Sequence, residues 1–203
     1  DKTIYLLGGG DSAKDLIMSE DITPKQVLNL DPFIGAETVS KAKNQNYLSL
    51  PIYAQDTSAI EKEIKQRNID SADEMWASYS VPYYLDTPEE ISGLFQTIKQ
   101  FLAENGTAKI APIAIQAGDA ELYAKAREEF MKQIKDYSAS SEFNVYVTES
   151  TTGGTLFIEK IPASNQESEQ KTHLASQQEA EKRHVREERD KERLAEIRKK
   201  LGI

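Results

Sequence analysis

Apolar residues along the chain fall into short runs separated by longer segments of helical period. Thr3-Ile4-Tyr5-Leu6-Leu7 ends in Gly8-Gly9-Gly10, and Gln26-Val27-Leu28-Asn29-Leu30 ends at Asp31-Pro32. Further strand-like runs cover Tyr47 to Ala54, ahead of Asp56, then Glu74 to Ser80 and Ala108 to Ile115. Between them, Ser58 and Glu61 fit a capping box for a helix bearing Ile60 and Ile64. Thr87-Pro88-Glu89-Glu90 is a fuller start signal, with Thr at the N-cap, Pro at the first helical position and Glu at the third. Ile91, Leu94, Phe95, Ile98, Phe101 and Leu102 then make one apolar stripe, and Asn105-Gly106 is expected to stop the helix. Asp119 is expected to cap another, with Leu122, Ala126, Phe130 and Ile134 on one face.

Strands alternating with helices predict a mostly parallel sheet covered on both faces. The end of the pattern differs. Phe143–Val147 and Thr155–Glu159 are joined by a turn around Gly153-Gly154, too short for a parallel crossover, so they form an antiparallel pair. From Gln166 the chain turns densely charged and rich in helix formers, which predicts a long solvated helix, with disorder as the alternative. Its only apolar stripe, Leu194, Ile197 and Leu201, offers a possible contact to a partner helix or subunit. The expected division is an α/β domain over residues 1–162 and a charged helical tail over 163–203.

Charge separates the same two parts. Residues 166–203 hold 9 acidic and 10 basic residues, which leaves 25 acidic and 15 basic from the totals of 34 and 25. An α/β core near −10 repels phosphate backbones and argues against nucleic acid as its partner. Both histidines, His173 and His184, fall in the tail, and there is no Cys. Imidazole-based hydrolysis and His- or Cys-ligated metals are thereby removed from the core, and no metal is expected. No apolar run reaches the roughly 18 residues of a membrane span. The chain opens at Asp1 almost directly on a strand, as a piece of a longer protein would, and a cytoplasmic location is the expectation for it.

Ligands of parallel sheets bind beyond the carboxyl ends of the strands, near the point where strand order reverses. Gly8, Gly9 and Gly10 lie there, where small residues and a following helix N-terminus admit a nucleotide; the alternative is a merely tight turn. Asp31, 21 residues beyond Gly10, is placed to accept bonds from ribose hydroxyls, unless it only caps the turn at Pro32. Asp56 is a third rim carboxylate, or an ordinary N-cap.

The order of elements, the antiparallel last strand and the local text resemble the class I S-adenosylmethionine-dependent methyltransferases. The text in question is Asp73-Glu74-Met75-Trp76-Ala77-Ser78-Tyr79-Ser80, then Tyr84 to Glu90, then Phe101 to Gly106 before the fifth strand. The resemblance covers about 160 residues and implies a three-layer α/β/α, Rossmann-like methyltransferase fold. Its sheet would have seven strands, mostly parallel, with an antiparallel C-terminal hairpin strand, and the charged helix would be appended. It further implies S-adenosylmethionine as cofactor. Gly8 and Gly10 would line its methionine and ribose part, Asp31 its ribose, Asp56 its adenine amino group, and Ser78, Tyr79 and Ser80 the methyl-donor side. Tyr79, Tyr83 and Tyr84 would shape a pocket for an acceptor the sequence does not name, or would simply pack. Two departures stand out: Leu6 occupies the place of an acidic residue two before the first glycine, and Ser12 that of the third glycine. A methyltransferase is the leading expectation. A catalytically silent methyltransferase-like assembly module and a nicotinamide-dependent oxidoreductase, through Gly8-x-Gly10-x-x-Ala13 and Asp31, are the alternatives.

Overall fold

Strands buried on both faces read as continuous apolar runs, and the first two runs of this chain become strands over their full expected length. The computed structural model describes residues 2–10, 24–33, 47–78, 81, 83–111, 113, 123–148 and 154–164. Strand β1 is Thr3–Leu7, buried at all five positions, and β2 is Gln26–Leu30. Then come β3 (Tyr47–Leu50), α1 (Thr57–Arg67), β4 (Ala72–Ser78), α2 (Pro88–Phe101) and β5 (Leu102–Ala111). Helix α3 (Ala124–Ala139), β6 (Phe143–Thr148) and β7 (Thr155–Lys160) complete the described elements. All of them lie in the unit Asp1–Pro162; of the second unit, Ala163–Ile203, only residues 163 and 164 are described. The expected tail helix, with His173, His184, Leu194, Ile197 and Leu201, therefore falls outside the described residues, as do Asp119 and Leu122.

The seven strands form one sheet in the order β3-β2-β1-β4-β5-β7-β6. The pairs among β1 to β5 are parallel, and β7 runs antiparallel to both β5 and β6. This is the expected α/β sheet with its antiparallel hairpin strand. Chain order runs outward from β1 to β3 on one side and resumes at β4 on the other, so the reversal lies between β1 and β4.

Several boundaries differ from the sequence reading, each for a local reason. Strand β3 ends at Leu50, not Ala54, because Pro51 has no N–H for a ladder. Helix α1 is capped by Asp56, whose Oδ1 accepts from the Ala59 N–H at 3.0 Å, so Ser58 already lies inside the first turn. The capping box of α2 is as expected, with Thr87 and Glu90 bonded to each other's backbone. That helix, however, stops at Phe101: Leu102 turns extended and begins β5 by pairing with Ala72. The next pair is Glu74 with Thr107, so residues 103–106 bulge out of the ladder. Asn105, at φ 63°, serves this bulge and not a helix end.

The main core lies on one face of the sheet under the three helices. Tyr5, Leu7, Leu28, Leu30, Met75, Ala108, Ile110, Leu156 and Ile158 face Ile60 of α1, Ile91, Leu94, Phe95 and Ile98 of α2, and Ala126 and Phe130 of α3. Tyr137 links α3 to its neighbours. Its ring contacts Phe95 at 5.2 Å and stacks on Phe143 at 4.6 Å, while its hydroxyl donates to the Phe95 carbonyl. Gly93 lets α2 approach the β3–α1 loop: a Cβ there would stand 2.7 Å from the Gln55 carbonyl oxygen.

The opposite face holds a smaller cluster of Ile4, Leu6, Val27 and Trp76, with Tyr47 packed against it. Beside it, buried Glu74 accepts from Lys2 (2.5 Å), Lys109 (2.9 Å) and the Trp76 indole (2.7 Å), tying β1, β4 and β5 together. Burial pushes the Glu74 carboxyl up, but the bonds from Lys2, Lys109 and Trp76 outweigh it and bring its pKa down to about 2.

Two stability measurements follow from this packing. Phe95→Ala should cost about 3–5 kcal/mol in urea unfolding, since it empties the contact between α2, α3 and the sheet. The carboxyl of Glu74 is depressed from 4.5 to about 2, so its stabilisation is complete above the unfolded value and disappears as pH falls through the folded one. The deficit of Glu74→Gln relative to wild type should therefore hold steady at neutral pH and shrink between pH 4.5 and about 2. A deficit that grows on acidification contradicts the sign.

Candidate functional site

The rim of the sheet beyond β1, β2 and β4 is set level by strand register. Leu7 pairs with Leu30, and Leu6 with Trp76, so continuing both ladders places Gly8 beside Asp31 on one side and Ser78 on the other. The Gly8 N–H still reaches back to the Leu30 carbonyl at 2.7 Å, and the Asp31 N–H to the Leu50 carbonyl at 3.2 Å. Beyond these bonds β1 leaves the sheet. Gly8 (φ 72°) and Gly10 (φ 58°) adopt left-handed conformations that only glycine takes without strain, which is why the turn needs them.

Asp31 is buried at 9% exposure and directs its carboxylate at this turn. Its Oδ2 accepts from the Gly10 N–H at 2.9 Å, and its Oδ1 from the Phe33 N–H at 2.8 Å. An ionised carboxylate has about four acceptor sites. Two backbone donors fix its orientation and leave capacity on each oxygen. Asn29, two residues earlier and fully buried, donates from Nδ2 to the Gly10 carbonyl at 3.0 Å and to Ser49 Oγ at 3.3 Å.

The other candidates belong to the end of β4 and to the loops after β3 and β4. Ser78 ends β4, half-buried and paired with Ala111 of β5, while Tyr79 and Ser80 lie outside the described residues. Asp56 stands exposed beyond β3, where it caps α1. Its loop is held by Gly93 and by the bond from Gln55 Nε2 to Glu90 Oε1 at 3.3 Å. Tyr83 and Tyr84 meet edge to face at 5.0 Å; Tyr83 is half-buried and Tyr84 is 65% exposed. Buried Leu85 anchors that segment to the core. Thus register and hydrogen bonds bring Gly8, Gly10, Asp31 and Ser78 to one stretch of rim, with Gly9 between the two glycines. Asp56 and the tyrosine pair belong to the adjoining loops after β3 and β4.

Three residues escaped the sequence reading. Asn29 was legible only as a polar residue inside an apolar strand. Phe33, 84% exposed, and Tyr53, 50% exposed, form an edge-to-face pair with centroids 6.3 Å apart, one just beyond Asp31 and one just before Asp56. Exposure itself has no signature in sequence. Among the described residues no three His, Cys, Asp or Glu side chains gather to hold a metal, and no helix is long and apolar enough to cross a membrane.

No protein-family model and no curated protein matches the chain. Solved structures do. A candidate rRNA-methylase from Clostridium thermocellum is 13% identical with a TM-score of 0.55, over 79% of this chain and 89% of its own. A candidate caffeoyl-CoA O-methyltransferase from Staphylococcus aureus is 10% identical with a TM-score of 0.52, over 78% and 76%. The plantazolicin methyltransferase BpumL, solved in complex with S-adenosylhomocysteine, is 10% identical with a TM-score of 0.52, over 79% and 76%. At such identities the likeness is one of backbone: this chain has the fold of the class I S-adenosylmethionine-dependent methyltransferases.

Proposed function

We propose that the chain binds S-adenosylmethionine at the carboxyl edge of the sheet and serves methyl transfer to an acceptor its residues do not name. The observation that carries this reading is the Asp31 carboxylate held against the glycine turn at the point of strand reversal. The groups present suit an adenosine. Gly8 and Gly10 present backbone without Cβ, and Asp31 keeps acceptor capacity for two vicinal hydroxyls. Phe33 and Tyr53 offer exposed ring surface for a base, with Asp56 beyond them for its amino group.

Bound there, the cofactor would supply an electrophilic methyl group on a sulfonium. In-line displacement depends chiefly on holding donor and acceptor in attack geometry, so the chain's own task is positioning. On this reading Ser78, Tyr79 and Ser80 border the donor side, and Tyr79, Tyr83 and Tyr84 wall the acceptor. Nothing favours the nicotinamide alternative. The dinucleotide-binding order ends in parallel strands, whereas here antiparallel β7 stands between β5 and β6. The acidic core speaks against a bare phosphate backbone as acceptor.

Calorimetric titration with S-adenosylhomocysteine tests the reading. Wild type should bind with a Kd in about the micromolar range or below. Asp31→Ala should weaken binding at least about tenfold, roughly 1.4 kcal/mol. Asp70→Ala, which removes an exposed carboxylate paired with Lys25 at the other edge of the sheet, should leave it unchanged. Binding of NAD with silence toward S-adenosylhomocysteine would overturn the proposal, and equal losses in both variants would remove Asp31 from the site.

A further inference from the structure

The turn after β1 is gripped from β2 by two side chains, one on each polar group of the same residue. Asp31 takes the N–H of Gly10, and Asn29 donates to its carbonyl. The carbonyl is purely an acceptor, so the amide nitrogen of Asn29 must be the atom that faces it. Residues two apart on an extended strand share a face, which is what lets positions 29 and 31 act on the N–H and the carbonyl of one residue.

Beneath the turn β1 has nothing comparable. Leu6, the register partner of Asn29, is apolar and buried with Ile4, Val27 and Trp76. Polar support for the glycine turn therefore comes from the neighbouring strand. It has a cost. Asn29 is fully buried, and among the described residues its Oδ1 has no hydrogen-bond partner; an unmet buried acceptor destabilises the fold. An apolar side chain would suit an otherwise apolar strand better if sheet stability were all that mattered there.

We propose that Asn29 is a positioning residue: it sets the orientation of the Gly10 carbonyl, and through it the surface the glycine turn presents to the cofactor. The inference rests on the cofactor slot proposed above. Its second bond, to Ser49 on β3, steadies the amide but does not touch the turn.

The test uses the full chain and two readouts, hydrogen exchange of the Gly10 amide without ligand and Kd for S-adenosylhomocysteine. Asn29→Leu removes the donor at similar volume; Asn29→Asp keeps the shape but presents a carboxylate acceptor to the carbonyl. Each should speed Gly10 exchange and raise the Kd at least about tenfold. Ser49→Ala, which spares the Gly10 bond, should change neither beyond roughly twofold. Should the Asn29 variants leave both readouts as in wild type, or Ser49→Ala cost as much as they do, Asn29 is only a tie between strands and the proposal fails. Fast Gly10 exchange in the variants beside a wild type that binds no S-adenosylhomocysteine would overturn the slot while keeping Asn29 as the clamp of the turn.

Discussion

The glycine turn and the β2 edge are joined at one residue, and the character of the rim depends on that junction. A chain leaving a parallel strand through left-handed glycines has few preferences of its own, because glycine admits so many conformations. Here its course is fixed from the next strand, by the Asp31 carboxylate on the Gly10 N–H and by the Asn29 amide on its carbonyl. The same carboxylate holds its own following turn through Phe33, so one buried side chain organises the two neighbouring loops after β1 and β2. A buried carboxylate is costly unless bonded, and the two backbone donors meet that cost while leaving oxygen sites to spare.

That junction is only as firm as the sheet beneath it. The helices α1, α2 and α3 cover one face, and the aromatic contacts of Phe95, Phe130, Tyr137 and Phe143 lock α2 and α3 to the far strands. On the other face, Glu74 gathers Lys2, Lys109 and Trp76 across the three central strands. The Glu74 cluster acts where β1, β4 and β5 meet, the strands whose register puts Gly8 and Ser78 side by side on the rim. Loops can then carry the variable chemistry, which suits a fold shared by proteins with little sequence in common.

The architecture was legible because its causes are periodic. Apolar runs marked β1 and β2 to the residue, and the Thr87–Glu90 signal marked the start of α2. Boundaries failed where a local signal has more than one structural meaning. Asn105-Gly106 reads as a helix stop but serves a bulge, because Leu102 finds a strand partner in Ala72 first. Asp56 and Ser58 both read as caps, and the helix start decides between them. At the rim, spacing pointed to the glycines and Asp31. It could not reveal that Asn29 grips the same turn, or that Phe33 and Tyr53 stay exposed, since both depend on the third dimension.

The central claim, an adenosine slot built on the Gly10–Asp31 junction, is most directly tested by amide chemical-shift mapping during titration with S-adenosylhomocysteine. The largest shifts should fall on the amides of residues 8–10, Asp31, Phe33, 53–56 and Ser78, with the Glu74 cluster and β6 nearly still. Shifts confined to β6 or the opposite edge of the sheet, or no shifts at saturating ligand, would contradict the account.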